Sequence, residues 1–146
     1  LRESWEEIGL SPLNVVYLGS LPSYSLTFFE RTIFPLVCLV KEPYKQKPSH
    51  EVEKILEIPL GRFFDSSSYA KLALVQSSDE SDPHHNLTFP CMVIPGDQGH
   101  EDILWGATFH IVTNFLQIVY GAPMPFSTSS RTILKTIPQH YATGLR

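Results

Sequence analysis

Two cysteines are the only thiols in this 146-residue sequence, and neither has a partner at ligand spacing. Cys38 and Cys91 each sit in an apolar run without a Cys-X-X-Cys arrangement, so both are expected to be buried free thiols in a reducing compartment, with a disulfide as the alternative. No apolar stretch is long enough to span a bilayer, and the opening residues lack the layout of a signal peptide. Basic residues are also sparse: 11 Lys and Arg stand against 15 Asp and Glu, for a net charge of −4. The cations form no stripe, which argues against a nucleic-acid surface. No internal repeat is visible. The serine runs Ser66-Ser67-Ser68 and Ser127 to Ser130 lack a nucleophile elbow and read as loop composition.

What is present is enough for a folded domain. Hydrophobic residues make up 42% of the chain, sufficient for a sizeable core at a length that suits one domain. The opening segment Leu1-Arg2-Glu3-Ser4-Trp5-Glu6-Glu7-Ile8-Gly9-Leu10 carries the most chemistry. On a helix, Glu3 and Glu7 lie four apart and Glu6 three after Glu3, so three carboxylates share roughly one face. Like charges held this way repel unless a cation joins them, and hard oxygen donors favour Mg²⁺ or Mn²⁺. Arg2 can hold a carboxylate and fix its orientation. Gly9 suits the left-handed residue that ends a helix, with Ser11-Pro12 leading the chain away. A solvated acidic helix face would show the same glutamate spacing.

Further along, Val15-Val16-Tyr17-Leu18 within Leu13 to Leu21 reads as a strand. Leu26 to Phe29 is expected to be an edge or loop segment. Ile33 to Val40 is expected to be a strand buried on both faces, with Pro35 at its start. Lys41 to His50 reads as a loop, Val52 to Leu56 as a strand, and Leu60 to Phe64 as the start of a short helix. Tyr69 to Val75 and Leu87 to Ile94 are strands either side of a hydrophilic turn at Ser77 to Pro83. Asp102 is expected to cap a helix running from Ile103 to Tyr120 with Gly121 at its end. Ile103, Ala107, Ile111, Phe115 and Val119 would pack on the sheet, beside a second stripe of Leu104, Val112, Leu116 and Tyr120. Ala122 to Ser130 resembles a linker, and Thr132 to Ile137 reads as a short helix or a disordered tail.

The histidines offer little. His84-His85 lie in a polar turn without ligand spacing, and His110 falls within the apolar helix, as a hydrogen-bonded core histidine would. Trp105-Gly106 suits either an aromatic stacking on a ligand or a packing pair in which Gly106 lets the helix approach the sheet.

The arrangement Arg2-Glu3-X-X-Glu6-Glu7-X-Gly9-Leu10 resembles the C-terminal half of the Nudix box, the motif of hydrolases that cleave nucleoside diphosphates linked to another group. Ser4 departs mildly from the aliphatic or small residue usual there. Ser49 to Leu60, with Glu51, Val52 and Pro59-Leu60, is similar to a segment of the coenzyme A diphosphatases of that superfamily. So is Ile103-Leu104-Trp105-Gly106-Ala107-Thr108, which is similar to the start of their last long helix. Order and spacing of the three segments agree, and the likeness rests on about two dozen positions within residues 1–121.

The resemblance implies an α/β fold, a Nudix-type α/β/α sandwich with a mixed sheet. Residues 1–121 would form its C-terminal portion, lacking the N-terminal strands, and 122–146 a linker and tail. It implies metal ligation of Mg²⁺ or Mn²⁺ by Glu3, Glu6 and Glu7, with Arg2 as an orienting partner. Glu3 and Glu6 would serve catalysis, with Glu51 as a further carboxylate from a loop. The substrate would be coenzyme A or acyl-coenzyme A, split into a phosphopantetheine and adenosine 3′,5′-diphosphate. No nucleic-acid or membrane partner is expected. The compartment would be cytoplasmic or peroxisomal, although Gly144-Leu145-Arg146 is not a Ser-Lys-Leu address. The alternative is an inactive Nudix-like fragment or binding module, because the motif's first glycine and glutamate would precede Leu1.

Overall fold

The computed structural model describes residues 2–26, 31–41, 44–76, 87–96, 99–121, 123–125 and 130–137. It is a mixed α/β structure with two α-helices and eight strands among the described residues. The chain divides into two units, one of Leu1–Ser23 with Phe34–Glu57 and one of Tyr24–Ile33 with Ile58–Arg146.

The first unit opens with helix α1, Arg2–Ile8. Gly9, at φ +75°, takes the left-handed conformation expected of the residue that ends it. The amides of Gly9 and Leu10 turn back onto the carbonyls of Trp5 and Ser4. Ser11 then caps a single 3-10 turn, Pro12–Asn14, by accepting from the Leu13 amide. Strand β1, Val15–Ser20, follows, and it pairs antiparallel with β4, Leu36–Val40. Tyr17 faces Cys38 but Gly19 faces Val37, so Leu18 is the extra residue of a β-bulge. The amides of Leu21 and Lys41 extend the ladder at its two ends, onto Pro35 and Asn14.

Two expectations fail in this unit. Leu36 to Val40 is a strand with Pro35 just ahead of it, but it is not buried on both faces: Leu36, Cys38, Leu39 and Val40 are all exposed. Among the described residues its apolar run finds one neighbouring strand, and a ribbon of two strands leaves its faces uncovered. Val52 to Leu56 forms no strand. Among the described residues its backbone has no strand opposite it, so alternation of side chains alone did not make it extended ladder.

The second unit holds the core. Strands β5 (Tyr69–Gln76), β6 (Leu87–Pro95), β7 (Glu101–Trp105) and β8 (Thr132–Ile137) form a sheet in the order β7-β6-β5-β8. All pairs are antiparallel except β5 with β8. Before β5 the chain makes two short 3-10 turns, Leu60–Phe64 and Ser66–Ser68, the first of them at the expected short helix. A separate ribbon of β2 (Tyr24–Leu26) and β3 (Arg31–Ile33) also belongs to this unit. Thr27 to Phe29, the rest of the expected edge segment, and the turn at Ser77 to Pro83 lie outside the described residues, as do His84 and His85.

Side chains alternate across this sheet with the period of two that a strand imposes. On one face Tyr69, Met92 and Ile94 pack with Phe63, Phe109, Leu116 and Met124. On the other, Ala70, Leu72, Leu74, Cys91 and Val93 pack together with Phe89, Ile103, Trp105 and Ile133 around them. The register explains the division, since Tyr69 faces Met92 and Ala70 faces Cys91.

The sheet is curled. Arg131, just ahead of β8, pairs with Glu101 at the start of β7, although these strands are opposite edges. On a flat sheet three strand spacings of about 4.8 Å, plus the offset along the strands, would separate the two backbones by roughly 19 Å, beyond what the side chains span. Coiling of the sheet brings them together, and its concave side is where Leu72 and Cys91 become fully buried.

Helix α2, Gly106–Tyr120, covers the first face. It starts later than expected: Glu101–Trp105 is strand β7, with Ile103 opposite Val93 and Trp105 opposite Cys91. The four-residue spacing that joined Ile103 to Ala107 was a coincidence of strand running into helix. With the start moved, Asp102 lies within a strand and is not a cap. The buried stripe is Phe109, Thr113 and Leu116, with Val112 and Phe115 beside it, while Val119 and Tyr120 are exposed. The Thr113 hydroxyl donates to the carbonyls of Phe109 and His110, which lets a polar residue sit in that stripe. Gly121 ends the helix as expected.

Thr132–Ile137, expected as a short helix or tail, is strand β8, paired with β5 from Lys71↔Thr132 to Gln76↔Ile137. Of the linker before it, only Pro123 to Pro125 and Ser130 are described together with Gly121's flank, and Met124 is buried in the core.

Candidate functional site

Every glutamate of the opening motif lies on α1, so its carboxylates start from one short helix. Arg2 uses both arms of its guanidinium: Nη2 donates to Glu3 Oε1, while Nη1 lies 3.2 and 3.3 Å from the two oxygens of Glu6. One cation thus holds two of the three carboxylates. All three partners are exposed, and ion pairs of this kind contribute only about 0.2–1 kcal/mol. Their value is orientation. Glu7 is half-buried at the next turn.

The end of α1 is anchored by a distant segment of the same unit. The amides of Lys47 and Ser49 donate to the carbonyls of Ile8 and Glu7, at 3.0 and 2.8 Å, satisfying groups that a helix terminus leaves open. A Cβ built on Gly9 would lie 3.2 Å from Lys47 Cβ, so this close approach also depends on glycine. Ser49 Oγ in turn accepts from the Glu51 amide. Sequence reasoning missed this anchor, because backbone bonds between segments so far apart leave no mark in side-chain identity.

Glu3, Glu6 and Glu7 are the hard oxygen donors that Mg²⁺ or Mn²⁺ requires. As they stand, however, they do not form a cage: among the described residues no three His, Cys, Asp or Glu side chains come together to hold a metal ion. Glu51 is brought into the same unit as α1 through Ser49, but not into a common ligand group with it. Glu57 is engaged by Gln46, whose Nε2 donates to it at 2.6 Å, and Glu53 is exposed.

Other residues singled out by the sequence have packing roles. Trp105 is half-buried against Phe89, with ring centroids 5.9 Å apart. Gly106 has open space around its Cβ position and φ of +67°, so it is there for its backbone conformation and not for a close approach. His110 is half-buried and stacks on Tyr24 at 5.9 Å and 17°, with the edge of Phe109 on it, which seats the β2–β3 ribbon on α2. Of the two cysteines only Cys91 is buried; Cys38 is exposed on β4. Burial pushes the Cys91 thiol up in pKa, and its Sγ donates to the Ala70 carbonyl, so it behaves as a core residue. Asp65 lies below the usual carboxylate range because the Ser67 hydroxyl and amide both donate to it, a turn that caps the second 3-10 segment.

No family model, curated protein or solved structure matches this chain. Among the described residues, no helix is long and apolar enough to cross a membrane.

Proposed function

We propose divalent-metal-dependent diphosphatase activity of the Nudix type for this chain, with coenzyme A or acyl-coenzyme A as substrate. The observation that carries this reading is α1 itself. The pattern Arg2-Glu3-X-X-Glu6-Glu7-X-Gly9-Leu10 lies on a helix that stops at a left-handed Gly9, and Arg2 pairs with two of its carboxylates. The mixed α/β character with a curled sheet is compatible with the α/β/α sandwich of that superfamily.

In this reading Glu3, Glu6 and Glu7 would hold Mg²⁺ or Mn²⁺. Bound there, the cation would neutralise the diphosphate and acidify a water molecule. Arg2, paired with both Glu3 and Glu6, would keep their carboxylates oriented for such a cation. Glu51, from the segment anchored to the end of α1, is the candidate to accept the proton of the attacking water. Water adds across the phosphoanhydride: its oxygen bonds to one phosphorus, the bridging bond breaks, and phosphopantetheine and adenosine 3′,5′-diphosphate separate.

A second reading, a Nudix-like module that binds without turnover, is favoured by the lack of a three-carboxylate group among the described residues. One experiment separates the two. The chain is incubated with coenzyme A and Mg²⁺ or Mn²⁺, and release of adenosine 3′,5′-diphosphate is followed. Metal-dependent release that falls at least 100-fold in Glu7→Gln supports the enzyme. A folded parent chain that releases nothing leaves the binding module.

A further inference from the structure

We draw no further inference here: the strongest candidate, the exposed apolar face of the β1–β4 ribbon formed by Tyr17, Leu36, Cys38 and Val40, carries nothing because nothing in the structure shows what covers it.

Discussion

The two units are built from similar proportions of apolar sequence and use it in opposite ways. In the second, thirteen of the described hydrophobic residues are buried, packed about both faces of a four-stranded sheet. In the first, no described residue is buried, and Tyr17, Leu36 and Phe34 are 60%, 63% and 74% exposed. Composition therefore does not explain the difference; layering does. A sheet of four strands with a helix across it encloses side chains, and curling encloses more on the other side. A two-stranded ribbon is marginal in water because neither face has a partner. The acidic helix lies in the unit with the weaker framework, where backbone bonds from Lys47 and Ser49 substitute for packing.

Substitutions can test this contrast, beginning with the largest effect. Phe109→Ala removes a fully buried ring that meets Tyr69 edge-on at 6.1 Å, and should cost about 3–5 kcal/mol in chemical denaturation. A loss below about 1 kcal/mol would show that the second unit's core is looser than its burial suggests.

Tyr69 should give the second unit an alkaline limit. Its buried hydroxyl donates to the Phe63 carbonyl at 2.6 Å, and burial pushes its pKa up to about 12 from 10.0. Because the folded value is the higher one, the stabilisation is fully present below pH 10 and is lost as pH rises towards 12. A loss of up to about 2 kcal/mol is expected across that window, and Tyr69→Phe should flatten it. Unfolding midpoints measured from pH 9 to 12 decide the matter.

Glycine replacements compare the units directly. Gly106→Ala and Gly9→Ala both force a side chain into the left-handed region, which costs about 1–2 kcal/mol. Only at Gly9 does the new Cβ also press on Lys47. Amide exchange at Lys47 and Ser49 should therefore accelerate in Gly9→Ala and stay unchanged in Gly106→Ala. Equal behaviour in the two variants would mean that the anchor does not depend on that contact.

The smallest effect is expected on the ribbon. Leu36→Ala should shift stability by less than about 0.5 kcal/mol, as exposed substitutions do. A loss above about 2 kcal/mol would instead mean that this face is covered in solution.

Local chemistry was legible in the sequence, and pairing was not. The β-branched and aromatic run at Val15 to Leu18 and the apolar runs at Tyr69 to Val75 and Leu87 to Ile94 announced their strands, and Gly9 and Gly121 announced two helix ends. Ile103 to Trp105 reads as the start of the helix because its apolar residues happen to fall in phase with α2; pairing with β6 makes it extended. Thr132–Ile137 holds four β-branched residues, Thr132, Ile133, Thr136 and Ile137, yet its identity as a strand depends on β5, far earlier in the chain. The same limit applies to the candidate site. The residues of α1 could be named from their spacing, but whether Glu51 reaches them depends on long-range backbone contacts that no local pattern encodes.

The parallel partnership of β5 with β8 also sets an order of events in time. When β5 has left the ribosome, the edge carrying Leu72 and Leu74 has no neighbour on that side until Thr132–Ile137 has been synthesised. Throughout that interval the nascent chain carries an open, apolar strand edge, the kind that recruits wrong partners. Slow translation between Gly121 and Arg131 would lengthen this exposure, so β8 bears on yield during synthesis as well as on stability once folded.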